Sequence, residues 1–341
     1  MNTFGRNIRL TTFGESHGKA MGGVIDGIPG GVHIDMDTIL HETARRRPGQ
    51  SHLVTARDEK DIPEFLSGLT DDFITLGTPI GFIVRNTDRR SSDYDEMASL
   101  YRPNHADFTY DRRYGIRDPR GGGRSSARET LNWVVAGAIV RQLPCLNGVS
   151  IKAEIISVGG IKGPMQEMMK VVEQAKKDGD SVGGVVQCVI SGVPAGVGNP
   201  VFGKLHARLA EAMMSINAAK GFEYGDGFAA AAMRGSDHAD IFTSSDRGIF
   251  TLSNHSGGIQ GGISNGNDII FRVAFKPTPT LLRDVPTVDK DGNSAILKGK
   301  GRHDPCVALR AVPVVEAMAV LSFADFLLVQ DSYTPFHKSF M

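Results

Sequence analysis

Apolar residues recur along the chain in two rhythms. Asn7 to Phe13, Gly23 to Asp26, Phe82 to Arg85, Ile151 to Val158, Val185 to Ser191 and Ile269 to Phe275 read as strands, with alternation clearest from Ile151 onward. Helical spacing predicts Asp37 to Arg47, ended by Pro48, Met165 to Lys177, ended at Gly179, and Leu205 to Lys220, capped by Gly221. Leu131, Val134, Val135, Ala138 and Ile139 share one face of a further helix, from Ala127 to about Leu143. Ser126 with Glu129 three residues on forms a capping box that starts it. The last helix, Val314 to Leu328, is apolar nearly all round and so belongs in a core.

An internal echo organises these elements. Val24-Ile-Asp-Gly-Ile-Pro-Gly-Gly-Val32 recurs as Val189-Ile-Ser-Gly-Val-Pro-Ala-Gly-Val197, each leading into a helix. In each half an Arg-containing turn, with Arg124 or Arg302, then precedes an apolar helix. Two similar halves packed about a pseudo-twofold axis, apolar helices in the middle, fit this pattern, as does chance similarity of two strand-turn segments. No linker divides the chain, so residues 1–341 read as a single domain.

Composition narrows the partners. Lys plus Arg equals Asp plus Glu at 38 each, so no global field favours nucleic acid or an acidic membrane. Positive charge acts only locally. Cys145, Cys188 and Cys306 are odd in number and far apart, which argues against a disulfide framework and fits a reducing cytosol. The longest apolar run, Val312 to Val329, is interrupted by Pro313, Glu316 and Asp325, so a soluble, cytoplasmic protein is expected.

The local positive charge lies in turns. Glycine makes up 41 of 341 residues, well above a usual share of roughly 7%. It clusters at Gly14 to Gly31, Gly121 to Gly123 and Gly257 to Gly266, where backbone turns sharply or approaches a ligand. Arg120-Gly-Gly-Gly-Arg-Ser-Ser-Ala-Arg128 combines a glycine hinge, three arginines and two hydroxyls before a helix N-terminus, which suits an anion. A solvated, well-capped turn is the other reading. Gly14-Glu-Ser-His-Gly18 sets His17 where an imidazole can reach a ligand and exchange protons near neutral pH, although a structural histidine fits the same place. Glu15, Ser16 and His17 are sequence neighbours without nucleophile-elbow spacing, which argues against a hydrolase triad. Arg102-Pro-Asn-His-Ala-Asp107 adds His105, either as a second proton-exchanging group or in a salt-bridged loop. Asp304, beside Arg302 and His303, is either a carboxylate of the site or a helix cap. Lys276-Pro-Thr-Pro-Thr280 suits gripping a polar ligand or simply leaving an edge strand. Ten histidines without HExxH or paired Cys/His spacing argue against a metal site.

Taken together, the motifs resemble those of the chorismate synthases over nearly the whole chain. The resemblance rests on Gly14-Glu-Ser-His-Gly-Lys-Ala-Met-Gly-Gly-Val-Ile-Asp-Gly-Ile-Pro29, Gly123-Arg-Ser-Ser-Ala-Arg-Glu-Thr130, and Arg302-His-Asp-Pro-Cys-Val with Glu316-Ala-Met. Arg45-Arg-Arg-Pro-Gly49, the Arg102 to Asp107 segment, Ser253 to Ser264 and Lys276 to Thr280 add further matches. It implies an α+β fold: a β-α-β sandwich, internally pseudo-duplicated, with a central helical layer between two antiparallel sheets, in a homotetramer. It implies an anti 1,4-elimination of phosphate from 5-enolpyruvylshikimate 3-phosphate, giving chorismate, with reduced FMN required but no net redox change. By the resemblance Arg47, Arg102, Arg128 and Arg302 face the substrate. Arg46 belongs to the same basic wall or to a pyridine-nucleotide (NADP) site. FMN is held by Arg124, Ser125, Ser126, Asn217, Ala218, Gly261, Lys276, Pro277, Thr278, Pro279, Thr280 and Arg302. His17 resembles the residue that protonates the departing phosphate, His105 the one that protonates reduced flavin, and Asp304 the base serving flavin N5. The chain departs from many relatives in carrying His52 where they have an arginine, and it shows no flavin-reductase domain, which implies an external source of reduced flavin. An oxidoreductase with net hydride transfer is disfavoured because no Rossmann G-x-G-x-x-G turn stands in context. A non-catalytic anion-binding scaffold is disfavoured by the co-occurrence of His17, His105 and Asp304 with the arginines.

Overall fold

The alternating segments pair into two antiparallel sheets, and the apolar helices fill the space between them. The structure, a computed structural model, describes residues 1–47, 60–86, 99–118, 122–246, 248–299 and 304–330. The first sheet contains β1 (Thr3–Phe4), β2 (Arg9–Gly14), β3 (Ala20–Asp26), β4 (Glu64–Phe65) and β5 (Ile80–Arg85) in the order β1-β2-β3-β5-β4. Helix α1 (Met36–Arg46) lies between β3 and β4, and α2 (Asp107–Tyr114) and α3 (Thr130–Val140) follow β5. The second sheet begins with β6 (Ser150–Val158), α4 (Met165–Lys177), β7 (Gly184–Ser191), α5 (Leu205–Met214) and β8 (Ala219–Tyr224). Two short hairpins, β9 (Phe242–Ser245) with β10 (Gly248–Thr251) and β11 (Ile259–Gln260) with β12 (Ile263–Ser264), precede β13 (Ile269–Phe275). That sheet runs β6-β7-β13-β8. A last hairpin, β14 (Val285–Val288) with β15 (Ser294–Leu297), precedes α6 (Ala308–Gln330).

The echo in sequence is an echo in topology. With β1 and the small hairpins set aside, each sheet places its first two strands side by side as an antiparallel pair, joined by a tight turn in the first sheet and through α4 in the second, then its fourth strand, then its third at the edge. Gly27 and Gly192, the matching glycines after β3 and β7, have φ of +86° and +73°. A Cβ at either would stand 1.9 Å from the carbonyl oxygen of Asn7 or 2.1 Å from that of Gly148. Each carbonyl belongs to the chain just ahead of the partner strand, so one backbone constraint is met twice.

Between the sheets, α3 packs on α6, α1 on α3 and α5 on α6. Every residue of α3 except Trp133 is buried, which is why it is apolar on all sides. The closest approach is at Gly137, where a Cβ would lie 2.6 Å from Ala317 Cβ. Although α6 is long and apolar enough to cross a membrane by length and composition, most of it is buried inside the molecule. Its two carboxylates hold the layers together. Glu316 Oε2 accepts from Arg45 Nη1 at 2.6 Å, and its Oε1 accepts from the Ala153 N–H of β6 at 2.8 Å. Asp325 accepts from the backbone N–H groups of Arg6, Asn7 and Ile8 at 3.1, 2.7 and 2.9 Å, fixing the entry to β2.

Three sequence expectations need correction. The helix from Leu205 ends at Met214, because Ala219–Tyr224 pairs with β13 as an edge strand and Ala218 between them takes φ +69°. The capping box is half present: Ser126 Oγ accepts from the Arg128 N–H at 3.3 Å, but the Glu129 carboxylate turns to Arg124 instead of back to Ser126. A 3₁₀ turn, Ala127–Glu129, therefore precedes the α-helix, which starts at Thr130 and ends at Val140. Helix α2 lies in a segment read from sequence only as a loop.

Gly137→Val should cost roughly 1–3 kcal/mol, the usual penalty for overpacking, read as a lower denaturant midpoint with unchanged slope. A midpoint equal to the parent's would show that α3 and α6 separate without cost.

Candidate active site

The turn between β2 and β3 carries His17. Gly14, at φ +91°, must be glycine because a Cβ there would lie 2.4 Å from Ala20 O. The Gly18 N–H closes the turn on Glu15 O at 2.8 Å, and buried Ser16 places its Oγ 3.1 Å from His17 Nδ1. Asn86, the residue after β5, donates from Nδ2 to Glu15 O at 3.1 Å and to Gly18 O at 3.0 Å. Its Oδ1 accepts from Arg128 Nε at 2.6 Å.

Arg128 belongs to a buried frame. Its Nη1 donates to Asp61 Oδ1 at 3.1 Å, and Arg46 Nη1 reaches Asp61 Oδ2 at 3.4 Å. Arg46 is 2% exposed and also donates to Thr130 Oγ1 at 3.0 Å and Ala127 O at 2.8 Å. Burial, aided by the nearby Arg310 charge, pulls the Arg46 guanidinium down to about 9, which leaves it charged at neutral pH. Its burial and committed donors suit a buttress. Arg310 Nε donates to Arg46 O at 3.1 Å while its Nη1 holds Asp304 Oδ2 at 2.7 Å. The first helical turns of α6 thereby bring Asp304 to the same frame. Arg47, next to Arg46 at the end of α1, has a buried Nε with no partner among the described residues.

A second group gathers around His105. Its Nε2 lies 3.0 Å from Thr280 Oγ1 and its Nδ1 3.1 Å from Pro103 O. Lys276 Nζ donates to Asn104 O at 2.9 Å, and the Lys276 N–H to Ala218 O at 3.0 Å. Asn217 Nδ2 donates to Ser125 O at 2.8 Å. The 3₁₀ turn at Ser125, the α5–β8 turn and the exit of β13 thus meet the His105 loop. Burial and the Lys220 charge lower the Lys276 ammonium, a repulsion that a bound anion would relieve. Asn217 Oδ1 and Thr278 Oγ1 are buried without partners among the described residues, while Thr278 O accepts from Ser181 Oγ at 2.6 Å. Pro277 and Pro279 stiffen the backbone on either side of Thr278.

Other predicted residues play structural parts in this conformation. Arg124 donates to Glu129 Oε2 at 2.6 Å and to Thr12 Oγ1 at 2.7 Å, stapling β2 to the start of α3. Ser125 Oγ closes on Gly122 O at 2.6 Å. Arg102 spends its fork on Asp107, Nε to Oδ2 at 2.8 Å and Nη2 to Oδ1 at 2.7 Å, and Arg117 adds a third contact at 2.9 Å. Gly261, at φ +62°, forms the tip of the β11–β12 hairpin, which contacts the Gly196 to Gly198 turn and the start of α5. Arg302 and His52 lie outside the described residues. A cleft of about 740 Å³ opens beside Gly122 to Ser125, lined also by Glu15, Tyr110 and Trp133.

Sequence reasoning missed Asp61 and Asn86. Asp61 sits at φ +51°, a conformation unusual for a residue other than glycine, and its side chain is fully buried. Asn86 is 4% exposed. Neither belongs to a glycine turn, and Asp61 ends a run of five charged residues, Arg57 to Asp61, in which nothing singles it out. The one local cue was position: Asn86 is the first polar residue beyond the strand that ends at Arg85.

Buried guanidiniums on a common frame, two imidazoles held in turns and orphaned polar atoms on the same loops define an enzyme site for a polyanionic small molecule. The comparisons with known proteins narrow that class. A model of the chorismate synthase family matches residues 8–328. The chain is 54% identical to the chorismate synthase of Porphyromonas gingivalis, with 99% of each covered, and 53% identical to that of Parabacteroides distasonis, with 97% of this chain and 98% of the relative covered. A crystal structure of chorismate synthase matches with TM-score 0.75 at 29% identity, covering 96% of this chain and 93% of that one. The chain belongs to the chorismate synthase family, and its activity is the family's: a phosphate-eliminating lyase converting 5-enolpyruvylshikimate 3-phosphate to chorismate, the last step of the shikimate pathway.

Burial by itself would raise the Asp107 carboxyl, but the Arg102 and Arg117 guanidiniums outweigh it and hold it below the usual value. A depressed folded value gives stability that is full above the unfolded pKa of about 3.9 and is lost as pH falls through the folded one. Asp107→Asn should therefore lower stability at neutral pH and flatten the acid-unfolding limb below about pH 4. An acid limb identical to the parent's would remove Asp107 from that account.

Proposed function

We propose that Arg47, Arg102, Arg128 and Arg302 form the cationic wall that binds the phosphate and carboxylates of the substrate, and that FMN sits against Ser125, Ser126, Asn217, Ala218, Gly261 and the Lys276 to Thr280 loop. The observation that carries this reading is the orphaned set Arg47 Nε, Asn217 Oδ1 and Thr278 Oγ1. Buried polar atoms are nearly always bonded, and these three come from the end of α1 in the first half and from the α5–β8 turn and the loop after β13 in the second. An acceptor at Asn217 and a hydroxyl at Thr278 fit the imide and ribityl edges of a flavin, and a guanidinium N–H at Arg47 fits an anion. Reduced flavin, when bound, supplies electron density that eases loss of the allylic phosphate without net oxidation.

The chain's own residues do the rest. Arg128, held from one side by Asp61 and from the other by Asn86, presents a fixed cation and requires no reorganisation on binding. Arg102 adds its charge to the wall while its fork orders the His105 loop through Asp107. His17 donates a proton to the phosphate oxygen as the C–O bond breaks. His105, oriented by Thr280, holds a proton beside the flavin loop. Asp304, oriented by Arg310, accepts one. Arg46 and Arg124 serve as supports for these groups.

Further parts of this reading concern assembly and setting. The β9–β10 hairpin leaves Phe242, Ile249 and Leu252 exposed, which supports association of copies into a homotetramer. Reduced flavin comes from an external source, and the enzyme works in the cytoplasm on a small-molecule substrate.

Anaerobically, a trace of reduced FMN should support many turnovers and oxidised FMN none. Oxidation of one flavin per product would mark an oxidoreductase instead. His17→Ala and His105→Ala should each lower turnover by roughly 10²- to 10⁴-fold, the usual share of a general acid, at parental melting temperature. Asp304→Asn should bind substrate and flavin nearly as well as the parent and turn over far more slowly. A lower melting temperature with turnover preserved would make Asp304 a helix cap.

A further inference from the structure

Asn86 makes more of the site's geometry than its single side chain suggests. Its amide has one acceptor and two donors in use, all directed at site elements: Oδ1 toward Arg128 Nε, and Nδ2 toward the carbonyls of Glu15 and Gly18. Those two carbonyls flank His17. The Asn86 N–H adds a fourth bond, to Lys19 O at 3.2 Å. Within the turn itself the backbone closes through Gly18 N–H to Glu15 O, with glycines at positions 14 and 18 where the chain enters and leaves. Such a turn rocks readily about its glycines, and Asn86 pins it from outside. Asn86 is in turn pinned through Arg128 to Asp61, whose left-handed backbone holds one carboxylate between two guanidiniums.

We infer that Asn86 is the positioning residue for His17, setting the imidazole at a fixed distance from the Arg128 guanidinium. The inference rests on the reading of His17 as proton donor to the departing phosphate. If Arg128 holds the phosphate, the amide length of one asparagine determines how far the proton must travel. A proton donor needs heavy-atom contact near 3 Å, and a misplacement on the order of 1 Å costs about 10²-fold.

Asn86→Asp separates the two halves of this bridge. The aspartate keeps an acceptor for Arg128 and the parental volume, but turns a second oxygen against two carbonyls. Turnover should fall roughly 10- to 100-fold with KM close to the parent's. Hydrogen exchange at the Gly18 N–H should accelerate, whether or not substrate or flavin is bound. In a His17→Ala background the same substitution should cost almost nothing further, because the group it positions is gone. Asn86→Ser, with a single hydroxyl in less volume, provides the same comparison should the aspartate prevent folding. Parental turnover, unchanged Gly18 exchange, or a loss that multiplies in full onto that of His17→Ala would overturn the inference. Parental turnover in His17→Ala alone would instead remove His17 as proton donor, while the exchange measurement would still report whether Asn86 pins the turn.

Discussion

One buried carboxylate shared by two buried guanidiniums sets the character of this molecule. Asp61 stands between Arg46 and Arg128, all three with almost no exposed surface. Removing a charge from water costs several kcal/mol even after relaxation, and one carboxylate offsets only part of the cost of two cations. Arg310 brings a further cation and Asp304 its counter-charge. The folded chain holds these charges on rigid elements. The end of α1, the 3₁₀ turn before α3 and the start of α6 all supply bonds to this frame. Their packing in the helical layer is what keeps it in place.

The repeated topology explains how such a frame arises from one chain. Each half contributes an antiparallel strand pair, a helix after a Pro-containing glycine turn, and an apolar helix, and the two apolar helices meet where Gly137 admits Ala317. Contacts across the halves join the His105 loop to Lys276 and Thr280 and the Ser125 turn to Asn217. The halves also differ. The first has an extra edge strand, β1, and the second carries the two short hairpins before β13.

Much of this was legible in the residues, for identifiable reasons. Met165–Lys177 and Ile269–Phe275 were read to the residue because amphipathic spacing or β-branched alternation runs unbroken between clear stops. Turns carrying His17 and Ser125 announced themselves through glycines that positive φ demands. Helix α2 escaped because it is strongly polar, buries only Asp107 and lacks a side-chain N-cap. Leu205 to Lys220 misled because alanines and methionine continue helical chemistry past the point where pairing with β13 takes over. Asp61 and Asn86 were invisible for a different reason. Their importance lies wholly in what folding brings to them from 15 to 71 residues away, and neither residue type nor local spacing records that.

The anchoring of Arg6 to Ile8 by Asp325 also bears on how the chain reaches its native state. The three amides are bound by a carboxylate that follows them by 317 to 319 residues, so the opening of the first sheet is secured by almost the last helical turn described. During synthesis the entry to β2 stays unfastened until nearly the entire polypeptide has emerged, although α3 can cover the hairpin's inner face earlier. Contacts of such long sequence separation slow folding and extend the life of partly formed, aggregation-prone species. A chain whose first strands are fastened by its final helix thus completes its first sheet only when its last element is in place, and any loss of that helix is felt at the N-terminus.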